Sequence, residues 1–219
     1  MIAGARVDPK VPIEETIGYI AEYVKAGKLG GISLSEVTAD LIRRAAAVHK
    51  ISAVEVEFSL FCTDILDNGV AKACAELDIP IVAYSPLGRG FLVSTLSVLK
   101  QRSLTPSQTG KYKKHSDLEP GSILQHLPRY QPDVFDENIK LVHAVEGIAQ
   151  KKGVTPAQIA LGWVLHQSGK EGLPTIIPIP GATTSARVKE NMAPAKLDES
   201  DMKELAEILR KFPITGERY

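Results

Sequence analysis

Cysteine is scarce: Cys62 and Cys74 are the only two in 219 residues, at a spacing that fits neither a metal nor a redox motif. That argues against a disulfide framework, and two thiols suit a reduced, cytoplasmic setting. No apolar run approaches the roughly 20 residues of a membrane span. Met1-Ile2-Ala3-Gly4 offers neither the charged start nor the apolar stretch of a signal peptide. Neither sign of charge prevails, with 26 Lys+Arg against 26 Asp+Glu, so the basic excess demanded by nucleic acid or a membrane surface is missing. His49, His115, His126, His143 and His166 follow no ligand spacing with each other or with cysteine, which argues against a metal. No Gly-x-Ser-x-Gly nucleophile turn is present, so hydrolase chemistry has no support. Gly-x-Gly-x-x-Gly, the dinucleotide fingerprint of a doubly wound sheet, is missing too.

What is present is ordinary globular material, 44% apolar and 24% charged, arranged as short β-branched runs alternating with amphipathic stretches. Helices are predicted over 12–28, 38–50, 64–77, 136–152, from Thr155-Pro156 onward, and over 184–191 and 199–211. Strands are predicted over 32–35, 51–58, 79–84 and 175–179. From about Ser103 to Pro132 the rhythm breaks into Ser, Lys, Pro and His, the mark of a long functional loop. Alternating strands and helices imply parallel pairing through crossovers. Several purposeful polar residues (Ser35, Glu36, Ser85, Gly88, Arg89, Gly181 and Thr183) follow strand ends, which is the habit of a (β/α)8 barrel. Four strand–helix units are half of what a barrel needs.

Three segments carry candidate chemistry. Gly181 to Asn191 combines a glycine after a strand, the caps Thr183, Thr184 and Ser185, and Arg187 in the first helical turn. Free N–H groups and a guanidinium fork together suit a phosphate. Glu190 and Asn191 share the Arg187 face and match a nucleobase edge. A capped surface helix with an Arg187–Glu190 pair explains the same residues equally well. In Tyr84-Ser85-Pro86-Leu87-Gly88-Arg89-Gly90 an aromatic ring at a strand end suits stacking on a flat ring, and the glycines leave room for a pyrophosphate. A plain proline-glycine turn is the commoner meaning of such a segment. Glu55 and Glu57 point to one side of their strand, which is costly in a barrel unless they are hydrogen-bonded. The run Lys111 to His115 reads as a solvated loop or as help for an anionic cofactor.

Taken together, Gly27-Lys28-Leu29 through Ser35-Glu36, Val54 to Leu60, Ala83 to Gly90, Thr155 through Leu165, and Ile179 through Asn191 resemble the aldo-keto reductase family in order and spacing. Within it, Gly31 to Val37 and the ending Gly216 to Tyr219 resemble fungal pyridoxal reductases. The resemblance implies a partial (β/α)8 barrel, about its second half (strands five to eight), with a long cofactor loop and a C-terminal helix. Residues 1–219 would then form one NADP-dependent oxidoreductase domain, the C-terminal two-thirds of an enzyme reducing an aldehyde or ketone with NADPH.

The resemblance also assigns residues. Ser35, Glu36 and Glu55 match those holding the nicotinamide carboxamide, and Tyr84 the aromatic stacked on its ring. Ser85, Leu87, Gly88 and Arg89 match the loop over the pyrophosphate. Gly181, Thr183, Arg187, Glu190 and Asn191 match the site of the adenosine and its 2′-phosphate. Position 36 is often Asn and position 55 usually Gln in the family, and both are Glu here. The family's catalytic Asp, Tyr and Lys belong to strand–helix units that this chain is expected to lack, and Ala5 stands where its strand-end histidine belongs. No residue is assigned as the proton donor, so the chain alone is expected to be inactive. Two other readings stay open: a catalytically dead nucleotide-binding or regulatory protein, and a non-functional partial gene product. The strands at 31–34 and 175–179 would lack outer neighbours, which predicts self-association through exposed edges.

Overall fold

The β-branched runs form five strands and the amphipathic stretches seven α-helices among the described residues of this computed structural model, which are 2–3, 7–93, 114–118 and 121–218. Ala5 and Lys111 to Lys113, which the sequence singled out, lie outside them. The chain divides into two compact units, Met1–Pro86 with Val164–Ile179, and Leu87–Trp163 with Pro180–Tyr219.

The first unit holds the sheet. β1 (Ile2–Ala3), β2 (Ile32–Ser35), β3 (Ile51–Glu57), β4 (Ile81–Tyr84) and β5 (Ile176–Pro178) pair in parallel and in chain order. A doubly wound sheet would reverse direction, and this one does not. The helices α1 (Ile13–Lys25), α2 (Ala39–Val48) and α3 (Val70–Glu76) lie between the first four strands in sequence. Each buries one apolar stripe: Ile13, Ile17 and Ala21 on α1, Ile42 and Ala45 on α2, Val70, Ala71, Ala73 and Cys74 on α3. Arg44 bonds Glu14 across α2 and α1, and Arg43 bonds Glu76 across α2 and α3, each at 2.7 Å. These pairs are solvent-exposed, so packing rather than charge holds the helices.

Two expectations change here. The strand at 32–35 is not an edge, because β1 pairs with it; two residues make too short a run to show any period. The helix predicted over 64–77 is two pieces, a 3-10 turn at Asp64–Leu66 and α3, separated by Asn68-Gly69. Gly69 sits at φ 85° and the Asn68 side chain accepts from the Val70 N–H at 3.0 Å, a local turn that outcompetes the helix. Both thiols are buried and neither is in a disulfide; Cys62 Sγ lies 3.7 Å from Asp64 Oδ2, and burial pushes Cys74 up to about 12, so it stays un-ionised at neutral pH.

The second unit contains α4 (Pro132–Lys152), most of α5 (Pro156–Gln167), α6 (Ser185–Asn191) and α7 (Glu199–Lys211). α4 starts four residues before the predicted Asp136, because Pro132 is pre-set for a first helical position. Phe91 stacks on Tyr130 at 4.4 Å between ring centres and reaches Phe135 at 5.4 Å. Asn138, 1% exposed, donates to Arg129 O and Thr215 O and accepts from the Thr215 N–H. One buried amide therefore fastens the C-terminal tail to α4. Any side chain at Gly162 would collide with the Ala195 carbonyl, so only glycine fits where α5 passes Ala195.

β5 has no described strand on its outer side, yet that edge has almost nothing to donate. Thr175 O and the Ile179 N–H bond to β4, so by alternation Ile176 and Pro178 face outward. Pro178 has no N–H, and the Ile176 N–H is occupied by Ser168 Oγ at 2.8 Å. The edge offers acceptors only, a guard against strand addition. Pro178→Val combined with Ser168→Ala supplies two outward donors. In sedimentation velocity this double variant is expected to form larger species at concentrations where the parent chain shows fewer; an unchanged distribution would count against the guard.

Candidate functional site

Three adjacent strands end together, and the predicted residues stand where they end. Register pairs Ser35 with Glu55 and Glu57 with Tyr84. Ser35 is the last residue of β2 and Tyr84 the last of β4. The first unit thus gathers Ser35, Glu36, Glu55, Tyr84 and Ser85 at the carboxyl ends of β2, β3 and β4, all of them half-buried. Glu36 bonds to the ends of β3 and of β4 beyond it: its N–H donates to Glu55 O at 3.0 Å, and its Oε1 accepts from the Glu57 N–H at 3.0 Å and from the Tyr84 hydroxyl at 2.8 Å. Glu57, predicted to face the same side as Glu55, is 2% exposed.

Backbone strain concentrates here. Among the described residues four non-glycines have positive φ: Glu36 at 51°, Asp78 at 52°, Ser85 at 51° and Arg89 at 52°. Each costs on the order of 1 kcal/mol or more unless its surroundings hold it, and such residues cluster at functional sites. Asp78 follows α3, where a left-handed residue commonly ends a helix. The other three are predicted site residues.

In the second unit, Leu87 and Gly88 are buried and Arg89 half-buried, within a short 3-10 turn over Gly88–Gly90. Tyr130 clamps this turn, its hydroxyl lying 3.2 Å from Gly88 O and 3.0 Å from Arg89 O. Nothing in the sequence announced Tyr130, which falls in the stretch without periodicity.

The segment after β5 divides its roles. Thr184 is the N-cap of α6 and accepts from the Arg187 N–H at 3.3 Å. Gly181 and Thr183 are exposed, Arg187 is half-buried, and its guanidinium has no ion-pair partner among the described residues. The alternative Arg187–Glu190 pair does not form: Glu190 Oε1 instead accepts from the Thr155 hydroxyl at 2.7 Å. Asn191 Nδ2 lies 3.4 Å from Gly181 O, turned back onto its own loop. Thr155 was legible as the cap of α5, where its Oγ1 accepts from the Gln158 N–H at 3.2 Å; its bond to Glu190 was not.

The first cluster therefore combines a tethered aromatic ring with polar strand ends, and the second a half-buried guanidinium with no ion-pair partner among the described residues. No three His, Cys, Asp or Glu side chains among the described residues converge as a metal site. No helix among them is long and apolar enough to cross a membrane.

A model of the aldo/keto reductase family matches residues 1–210. The aldo-keto reductase yakc [NADP(+)] of Schizosaccharomyces pombe is 39% identical over 98% of this chain and 58% of its own length. A probable pyridoxal reductase 2 of the same yeast is 37% identical over 98% of this chain and 60% of its own. The glycerol dehydrogenase of Gluconobacter oxydans, 19% identical, superposes with a TM-score of 0.74 over 95% of this chain and 57% of that one, a likeness of fold. The chain thus spans less than the two-thirds of its relatives that the sequence suggested, and it matches them along nearly its whole length.

Removing the Tyr130 hydroxyl tests the turn. Tyr130→Phe removes the one hydroxyl proton shared between the Gly88 and Arg89 carbonyls and is expected to cost about 1–3 kcal/mol in urea unfolding. A loss within about 0.5 kcal/mol, the range of an ordinary surface change, would mean the clamp is idle.

Proposed function

The chain belongs to the aldo/keto reductase family, and from that membership we propose that it carries the cofactor-holding part of an NADP-dependent reductase of aldehydes or ketones. The observation that carries this reading is the strain at Glu36, Ser85 and Arg89, three of the four left-handed non-glycine residues described. When bound, NADPH supplies the hydride. The residues that would hold it fall into three groups. Ser35, Glu36 and Glu55 serve the carboxamide end, and Tyr84 offers its face to the nicotinamide ring. Ser85, Leu87, Gly88 and Arg89 line the pyrophosphate, with Tyr130 keeping their turn in shape. Gly181, Thr183, Arg187 and Asn191 serve the adenosine and its 2′-phosphate, and Glu190 acts there from its bond to Thr155.

The fit to a phosphate rests on Arg187. A half-buried guanidinium with no acidic partner among the described residues is a planar donor suited to an anion, and a dianionic phosphate meets that geometry. The fit to a flat ring rests on Tyr84, whose hydroxyl is tied to Glu36 while its faces remain those of an aromatic ring.

The substrate proposed is a small carbonyl compound, with pyridoxal suggested by the resemblance of Gly31 to Val37 and by the pyridoxal reductase relative. The sheet is proposed as the second half of a (β/α)8 barrel, its strands five to eight being β2 to β5 with β1 ahead of them, and residues 1–219 as one functional domain in a cytoplasmic setting. Self-association is proposed for the β1 side, since β5 is guarded. Binding without turnover is proposed for this chain alone, because the phenol gathered at the strand ends is committed to Glu36 and no residue here is assigned to protonate a carbonyl oxygen.

Titrations of the 219-residue chain with NADPH and NADH test this directly. A charge-assisted bond to phosphate contributes about 1.5–3 kcal/mol, or one to two decades in affinity. Arg187→Met keeps most of the aliphatic packing and is expected to weaken NADPH by that factor while leaving NADH unchanged. Equal losses for both would make Arg187 structural and move the phosphate elsewhere, Arg89 being next. Aldehyde-dependent NADPH oxidation by the pure chain would overturn the proposal of binding without turnover.

A further inference from the structure

Glu36 occupies an unusual place in the hydrogen-bond pattern. It follows the last residue of β2, yet its carboxylate oxygen is bonded to the end of β3 and, beyond β3, to the end of β4. The Tyr84 bond joins residues 48 apart in sequence, so neither local propensity nor strand pairing produces it. Its length of 2.8 Å suits a hydroxyl donating to a carboxylate, the stronger class of hydrogen bond.

Where the bond lands decides what it does. A tyrosine ring at a strand end turns about two side-chain torsions, and the second is a broad, soft one. The hydroxyl is the part of the side chain furthest from the backbone, so holding it there limits both torsions at once. Glu36 is itself held: its N–H continues the ladder to Glu55 O, and the Glu57 N–H shares Oε1 with the phenol. These bonds also account for a non-glycine residue at φ 51°, since the surroundings over-determine a conformation it would not choose alone.

We infer that Glu36 is a positioning residue, whose carboxylate locks the Tyr84 ring in one orientation as a platform for a flat heteroaromatic ring. Glu36 thus acts through Tyr84, and its bond to the ring takes precedence over a direct contact with the ligand. The lock stands on the geometry of the first unit; the identity of the stacked ring rests on the cofactor reading above. It gives a physical reason for Glu rather than the shorter Asn at position 36: the longer side chain brings one oxygen to a backbone amide and a phenol together.

The test has two arms, so that the lock and the cofactor reading fail separately. In the first, the ligand-free chain carries 3-fluorotyrosine at its six tyrosines, and the Tyr84 fluorine signal is assigned by its loss in Tyr84→Phe. Glu36→Ala is expected to collapse that signal toward the position of free fluorotyrosine. Glu36→Gln, whose amide oxygen accepts the same two bonds, is expected to keep it dispersed. An unmoved Tyr84 signal in Glu36→Ala would overturn the lock, whatever the ligand does. In the second, NADP+ is compared with 2′,5′-ADP, which lacks the nicotinamide. Glu36→Ala and Tyr84→Phe are each expected to weaken NADP+ about tenfold or more and to leave 2′,5′-ADP unchanged. The double variant is expected to lose no more than either single one. Additive losses would mean that Glu36 and Tyr84 act independently, which overturns the inference. Failure of the parent chain to bind either ligand would overturn the cofactor reading, and the fluorine spectrum would still decide the lock.

Discussion

The register of β3 is the constraint on which the site depends. β3 pairs with β2 on one side and β4 on the other, and its central Val54 and Val56 are 0% and 3% exposed. Side chains on a strand alternate with a period of two, so a slip of one residue would turn Val54 and Val56 to the other face and carry Glu55 and Glu57 with them. Burying those valines in one sense fixes Ser35 opposite Glu55 and Tyr84 opposite Glu57. The polar cluster at the strand ends is thus held in line by apolar residues several positions away. Chemistry and core share one alignment.

How much of this the sequence revealed follows from the range of each interaction. Strands β2 to β5 were legible because β-branched runs declare themselves locally, and so were the caps Thr184 and Thr155. β1 was hidden, being two residues that belong to the sheet only because β2 offers an edge. The break at Asn68-Gly69 was present in the sequence as a turn pair, but helical spacing on both sides concealed it. Site residues could be placed because they follow strand ends, a local property. Their partners could not: Glu36 finds Tyr84 across 48 residues, Tyr130 finds Gly88 across 42, and Thr155 finds Glu190 across 35. Residue type and position are written along the chain, whereas such bonds exist only once the chain has folded.

The second unit shows another way of ordering irregular chain. Its turns around Pro128–Tyr130 contain few of the periodic contacts that stabilise a helix or sheet. Instead the Tyr130 ring is packed on Phe91 while its hydroxyl holds two carbonyls, and Asn138 bonds both Arg129 and Thr215. Buried polar groups must be paired to be tolerated, and pairing them to backbone atoms of distant segments makes that requirement a source of shape.

The outer edge of β5 has a mechanical consequence. A strand laid against it would receive no N–H from Pro178, and would compete with Ser168 for that of Ile176. Such a neighbour would supply the donors itself, so the ladder between them would contain bonds of one polarity, fewer than between any two strands inside the sheet. If the sheet closes on itself through β5, that seam is its weakest, and under load or heat it parts before the joints at β3.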